Sequence, residues 1–291
     1  MKSNNASRTA QYMALFRAVE TTRPKSKRLF ADPYAINFLD KDLQRVTKIA
    51  ALPLIGRLIP RLIHKKGMGA ISSGIARTKY IDDLLEAAIK EGSRQVIILG
   101  AGFDTRSIRL DFLKNILIIE IDHPDTSNFK LAIFKKNIGQ LPRNVTFQQV
   151  DFNRQSLNEI AEQARINFSL PTTIIWEGVT NYMTKQAIDN TFHFTKQFVS
   201  PFNMIFTYID KDVLENPQHF KGTEKLFANL KDNEEQWTFG FDPGELASYL
   251  QQFNLELKED LNATEYRNRY MPERTGILNG YEFYRVVSAK R

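Results

Sequence analysis

The 291-residue sequence has no cysteine. Disulfide bridges, thiolate catalysis and cysteine–zinc centres are excluded together, so the fold must rest on an ordinary apolar core. With 42% apolar and 25% charged residues, such a core is expected in one large α/β domain. The first ten residues, Met1 to Ala10, are polar and lack the apolar centre of a secretory signal, so a cytoplasmic protein is expected. Long hydrophobic runs are missing too. The most apolar part of the front end, Ile49 to Ile63, is broken by Arg57, Arg61 and two prolines and is too short to span a bilayer. With Lys65 and Lys66 beside it, the 49–66 stretch suits a weak contact with a membrane surface. Simple packing, or a lid over an apolar substrate, is the favoured reading. No internal repeat or low-complexity linker interrupts the chain.

Charge of one sign is concentrated at one end. The net charge is +7, yet residues 1–90 hold 17 Lys and Arg against 7 Asp and Glu, and the remainder 23 against 26. Such an excess attracts an anionic substrate, an acidic partner or a membrane surface, or simply forms a solvated basic face. The solvated face is the favoured reading.

Residues 8–40 read as helical, with Asp32 capping a start at Pro33. Ser72 to Ile89 carries an apolar stripe and reads as a helix leading into a strand at Gln95–Leu99. Further strands are expected over 116–121, 145–151, 172–177 and 204–209, with two more, about 255–261 and 281–288, closing the chain. Helices are expected from about Thr105 over Ile108 and Leu110, and over 124–136, 156–168, 185–199 and 243–253. The polar and aromatic stretch 211–241 breaks this rhythm as a loop or insertion. Strands alternating with helices over 95–209 predict a doubly wound, mostly parallel sheet.

The stretch around which the rest is arranged is Gln95 to Arg106, a buried strand running into a two-glycine turn at Gly100 and Gly102. Glycine lets the backbone bend tightly and approach a ligand. Ligands in such sheets lie beyond the carboxyl ends of the strands. Asp122 follows the second strand, 20 residues after Gly102, the separation at which an acid reaches a ribose hydroxyl pair. Asp151 and Glu177 end the third and fourth strands. A dinucleotide pyrophosphate asks for a third glycine, where this chain has Thr105, and is repelled by Asp104 in the turn. An acid-lined pocket with one or two arginines instead suits a phosphate-free, cationic ligand.

At these residues the chain resembles the leucine carboxyl methyltransferase-like family of S-adenosylmethionine-dependent methyltransferases, in its bacterial branch. The likeness covers most of the chain. It is carried by Ser7–Ala10, Arg17–Glu20, Leu29–Ala35, Arg77-Thr78 with Asp82, Leu99-Gly-Ala-Gly-Phe-Asp-Thr-Arg106, Glu120–Pro124, Val150–Phe152 and Trp176-Glu-Gly-Val-Thr-Asn-Tyr-Met183. The resemblance implies a class I methyltransferase Rossmann-like α/β fold. It places a helical extension and lid over residues 1–90 ahead of a core at 91–291 with the 211–241 insertion. It implies S-adenosyl-L-methionine as cofactor, with Arg77 on its carboxylate, Gly100 and Gly102 on the methionyl part and Asp122 on the ribose. Asp151 and the Phe152 backbone would lie near the adenine, Glu177 near the methionyl amine and Tyr182 beside a small-molecule methyl acceptor. A carboxylate acceptor needs no general base and a hydroxyl acceptor does. His193, inside a predicted helix, is not assigned that role. The acceptor is expected to be specified by residues 1–75 and 211–241. An NAD(P)-dependent oxidoreductase and a non-catalytic binding protein of the same fold are the rival readings. A nucleic-acid partner is disfavoured, because the basic front end has no aromatic-rich groove and Asp32-Pro33-Tyr34 lacks a second proline. The sequence does not fix an oligomeric state.

Overall fold

The β-branched runs become strands because both of their faces are covered. In the computed structural model, which describes residues 8–53, 55–150, 155–232, 235–274 and 279–291, β1 (Gln95–Leu99) is buried along its whole length. Val96 and Ile98 join one apolar cluster, and Ile97 and Leu99 join another on the opposite face. β2 (Leu117–Asp122), β3 (Val145–Gln149), β4 (Thr172–Trp176) and β5 (Phe202–Ile209) lie parallel to it. β6 (Glu256–Asn262) and β7 (Tyr284–Lys290) complete a seven-stranded sheet in the order β3-β2-β1-β4-β5-β7-β6, with β7 antiparallel to both of its neighbours. The order reverses between β1 and β4, so the chain opens a crevice beyond their carboxyl ends.

Ahead of the sheet come α1 (Arg8–Thr21), α2 (Lys41–Ala50), α3 (Ile59–Lys66) and α4 (Ala70–Lys90). Of the helical region expected over 8–40, with a second start at Asp32, only α1 is an α-helix. After α1 the chain turns, and Asp32 accepts the Tyr34 and Ala35 backbone N–H groups at 3.2 and 3.0 Å, opening only a 3₁₀ turn, Ala35–Phe38. α4 packs against α12 (Ala263–Tyr270) and α1, and its buried face joins the same cluster as Val96 and Ile98.

Three other helices depart from expectation. The stretch after the glycine turn is a single turn, α5 (Arg106–Arg109), because Leu110 is already extended and both arginines point into buried ion pairs. The helix expected over 156–168 is only α7 (Leu157–Ile160), started by a capping box between Ser156 and Glu159. Arg165 takes φ 57° and the Ile166 N–H returns to the Ala161 carbonyl, a left-handed termination. The 211–241 stretch is partly helical, with α9 (Asp212–Glu215) and α10 (Thr223–Asp232). α10 buries only Thr223 and Leu230, which leaves little apolar stripe to read. α6 (Pro124–Ile133), α8 (Lys185–Thr195) and α11 (Leu246–Gln251) fall within their expected spans. Among the described residues no helix is long and apolar enough to cross a membrane.

Gly100 shows how tightly the turn is built. Its φ is +64°, and a Cβ added there would stand 2.3 Å from Val179 Cγ2. Gly100→Ala is expected to cost about 2–4 kcal/mol in denaturant unfolding, from left-handed strain and overpacking together. Adding Val179→Ala should recover part of the loss. Strict additivity of the two changes would refute this contact as the cause.

Candidate functional site

The strand ends and the helices ahead of β1 enclose a cavity of about 1160 Å³. Arg77, Gly100, Gly102, Asp122, Glu177 and Tyr182 all line it. Asp151 and Phe152 lie outside the described residues. The wall is completed by residues the sequence reading did not single out, from α1, the stretch around α3, α10 and the chain before β7. Both expected acceptor stretches, 1–75 and 211–241, contribute to it.

Arg77 and Glu177 are each other's partners. Arg77 Nε donates to Glu177 Oε1 at 2.8 Å, and the Arg77 guanidinium lies over the Tyr284 ring at 4.4 Å. Glu177 follows β4 directly and Arg77 is on α4, so the ion pair joins the helix to the sheet's carboxyl edge. Arg106 takes the second oxygen, with Nη1 2.9 Å from Glu177 Oε2. The same guanidinium donates to Asp104 and, through Nε, to Asp82 at 2.8 Å. Asp82 also receives Arg109, at 2.7 Å, and Arg17 pairs with Asp32 at 2.8 Å while donating to the Phe103 carbonyl. Four arginines and four carboxylates thus surround the glycine turn. The sequence assigned Arg106 no role. Asp104 lies two residues before it, but Asp82 and Glu177 lie 24 before and 71 after, and only the fold reveals those pairings.

Burial by itself would raise the Glu177 carboxyl, but Arg106 and Arg77 hold it below its ordinary range. Burial also opposes ionisation of Asp104, and Arg106, Lys130 and Arg17 outweigh it and bring the group down to about 2. Asp122, the last residue of β2, accepts the Gly102 and His123 backbone N–H groups. Burial nevertheless leaves its carboxyl raised. Thr105, at the place of a third glycine, is buried and donates to Asp32 at 2.6 Å. Among the described residues no group of three or more metal-ligating side chains is present.

At the far side of the cavity, Tyr182 donates to Glu235 Oε2 at 3.1 Å, and Thr9 of α1 donates to the same oxygen. Burial, reinforced by Glu235, raises the Tyr182 phenol. Trp237 forms the wall beside Tyr284 and Phe283. Its buried indole N–H faces the Tyr182 phenol but completes no hydrogen bond among the described residues, and neither does Asn181 Oδ1. His193 is exposed on α8 with its ring against Phe253, away from the cavity.

The family model for leucine carboxyl methyltransferase matches residues 10–196, a span that holds the glycine turn, Asp122 and the Arg77–Glu177 pair. The chain belongs to the leucine carboxyl methyltransferase family. Among curated relatives in that family's company, a Mycobacterium marinum protein is 33% identical over 190 residues, covering 63% of this chain and 58% of its own. A Streptomyces coelicolor protein is 28% identical over 186 residues, covering 62% and 61%. Both are named, provisionally, S-adenosyl-L-methionine-dependent methyltransferases. The match spans about three fifths of these relatives' own length. Solved structures extend the fold further. A Thermobifida fusca protein described provisionally as a methyltransferase superposes with a TM-score of 0.57 at 15% identity, covering 94% of this chain and 97% of its own. A Streptomyces avermitilis protein of the DUF574 family gives 0.57 at 12% identity, covering 94% and 99%. The sheet is that of the class I methyltransferases, as the family resemblance implied.

Because the folded value is lowered, ionised Asp104 contributes stability that is complete above its ordinary value of 3.8 and is lost as pH falls toward 2. A shift of nearly two units corresponds to about 2–3 kcal/mol. Denaturant unfolding of Asp104→Asn should show a deficit of that size at pH 6 that closes toward pH 2. A deficit independent of pH over this window would contradict the assignment.

Proposed function

We propose that the protein is an S-adenosylmethionine-dependent O-methyltransferase whose acceptor is a small molecule. The carrying observation is the Arg77–Glu177 pair on the wall of the cavity reached by Gly100, Gly102 and Asp122. A methionyl group is a zwitterion. A guanidinium and a carboxylate side by side match its two charges, with the arginine taking the carboxylate and Glu177 the ammonium. Arg77 has five N–H donors, more than its contacts to Glu177 and Met13 use. Asp122 retains acceptor sites beyond the two backbone bonds it makes, and those suit a ribose hydroxyl pair. Gly102 at φ +47° keeps the backbone open beside it, since an added Cβ would meet nothing closer than 3.8 Å. The cavity exceeds the roughly 300–1000 Å³ that one drug-sized ligand occupies, which supports room for a second.

In this reading S-adenosylmethionine, when bound, supplies an electrophilic methyl group on a sulfonium. The chain's own residues hold, orient and desolvate: Asp151 and the Phe152 backbone are assigned to the adenine, and Tyr182 to the acceptor side. The helices of residues 1–90 and the 211–241 insertion serve as the cover. The names of the curated relatives support the same cofactor. A pyrophosphate fits poorly, because the helix after the turn is only four residues long and Asp104 is held ionised.

Titration calorimetry with S-adenosylmethionine, S-adenosylhomocysteine and NADH separates the readings. Binding of NADH with none of the two sulfur compounds would sink the proposal. Asp122→Ala is expected to weaken S-adenosylhomocysteine by about 1–3 kcal/mol, the cost of stranding buried partners. An unchanged affinity in a folded variant would remove Asp122 from the ribose.

A further inference from the structure

We infer that the acceptor is a neutral hydroxyl compound, a phenol or alcohol on an apolar body, and that Glu235 is the general base that takes its proton. The inference rests on the methyltransferase reading above and narrows its acceptor.

The far side of the cavity is built from two kinds of group. Tyr182, Leu230, Trp237, Tyr281 and Tyr284 give an apolar, aromatic wall. Into it project one carboxylate, Glu235, and two buried polar atoms that complete no hydrogen bond among the described residues, Trp237 Nε1, which faces the Tyr182 phenol, and Asn181 Oδ1. Trp237 is 9% exposed and Asn181 1%. A buried, unpaired donor and acceptor each carry a desolvation cost that a correctly placed ligand relieves. Tyr281 adds a third sign, since it holds φ 65°, a conformation that a bulky side chain rarely adopts and that clusters at ligand sites.

Glu235 is held as a base is held. Tyr182 and Thr9 both donate to Oε2, and Oε1 has no hydrogen-bond partner among the described residues. Tyr182 stays protonated, because burial raises its phenol, so it serves as a donor that fixes the carboxylate and is not itself the base. The charge of Glu235 also decides the substrate class. A carboxylate acceptor placed against it meets like charge, and the lysines on the cavity's lining, Lys65 and Lys225, are exposed on the solvent side. Arg8, also on the wall, is paired with Asp40 at 2.7 Å. A hydroxyl, in contrast, donates to Glu235 Oε1 and can accept from the Trp237 indole N–H.

The step balances within these groups. The acceptor oxygen forms a bond to the methyl carbon as the carbon–sulfur bond breaks, and that electron pair leaves on sulfur as a neutral thioether. The hydroxyl proton passes to Glu235, which returns it to solvent. No oxidant, reductant or metal enters the balance.

The test uses the full chain, methyl-labelled S-adenosylmethionine, and a panel of simple phenols, aliphatic alcohols and carboxylic acids. Transfer to phenols or alcohols is expected. Glu235→Gln should lower kcat by about 100-fold or more, the usual contribution of a positioned base. Its S-adenosylhomocysteine affinity should stay within about threefold, and the base limb of the pH–rate profile should disappear. Glu235→Asp, which keeps the carboxylate, should recover part of the rate and the limb, and serves as the check if the glutamine variant folds poorly. Transfer to carboxylic acids alone, no transfer to any hydroxyl compound, or an unchanged kcat in Glu235→Gln overturns the inference. Failure of the wild-type chain to bind S-adenosylhomocysteine overturns the methyltransferase reading beneath it instead.

Discussion

Arg106 holds the site together. A guanidinium with 3% of its side chain exposed is tolerable only where carboxylates surround it, because the desolvation penalty of a buried ion is several kcal/mol. It meets Asp82 from α4, Asp104 from the glycine turn and Glu177 from the end of β4. Those three acids come from three elements with no shared sequence neighbourhood. Their convergence fixes the turn against both the helix and the neighbouring strand. Removing any one acid leaves a buried cation short of charge and destabilises the turn. The glycine turn is therefore held by electrostatics as much as by its own geometry.

The surrounding network is balanced, with Arg17, Arg77, Arg106 and Arg109 against Asp32, Asp82, Asp104 and Glu177. This balance bears on ligand choice. A neutral cluster accepts a zwitterion without net electrostatic work, whereas a pyrophosphate would need cations that these carboxylates already engage. It also corrects the simple picture of a basic front end, since Arg17 and Arg77 are buried and neutralised. The basic excess that reaches solvent belongs to other residues, such as Lys48, Arg61 and Lys65. On that side Ile49, Leu52, Leu58 and Leu62 are exposed, so packing does not cover the whole 49–66 stretch.

The sheet was readable in the sequence because burial on both faces leaves a local trace. Continuous β-branched runs ending in glycine or an acid mark β1, β2 and β4, and Asp122 could be placed by counting from Gly102. What was not readable lies in pairings across distant chain segments. Asp104 stands two residues from Arg106, but nothing near Arg106 marks Asp82 on α4 or Glu177, which becomes a neighbour only when β4 is laid beside β1. The helix expected over 156–168 stops at Ile160 and continues only as turns up to Arg165, whose left-handed conformation has no glycine to announce it. The 211–241 stretch was expected at the acceptor side and does line the cavity, but α10 within it fully buries only Leu230 among its apolar residues, so its helical form was not read.

The two halves of the cavity therefore differ in how strongly the fold constrains them. The half under the glycine turn is built on strand ends and buried ion pairs, so its geometry is inherited from the sheet. The half around Glu235 is assembled from α1, the 211–241 insertion and the chain entering β7, the last two joined by an apolar cluster of their own. Apart from Tyr284, which pairs with Ile209 and carries Arg77 on its ring, the residues of that half stand outside the sheet and the arginine network. A family that keeps one cofactor and changes its acceptor would vary this half and retain the other. Trp237 belongs to the 211–241 insertion, whereas Asn181, whose Oδ1 is unpaired among the described residues, sits in the turn after β4 where the two halves meet.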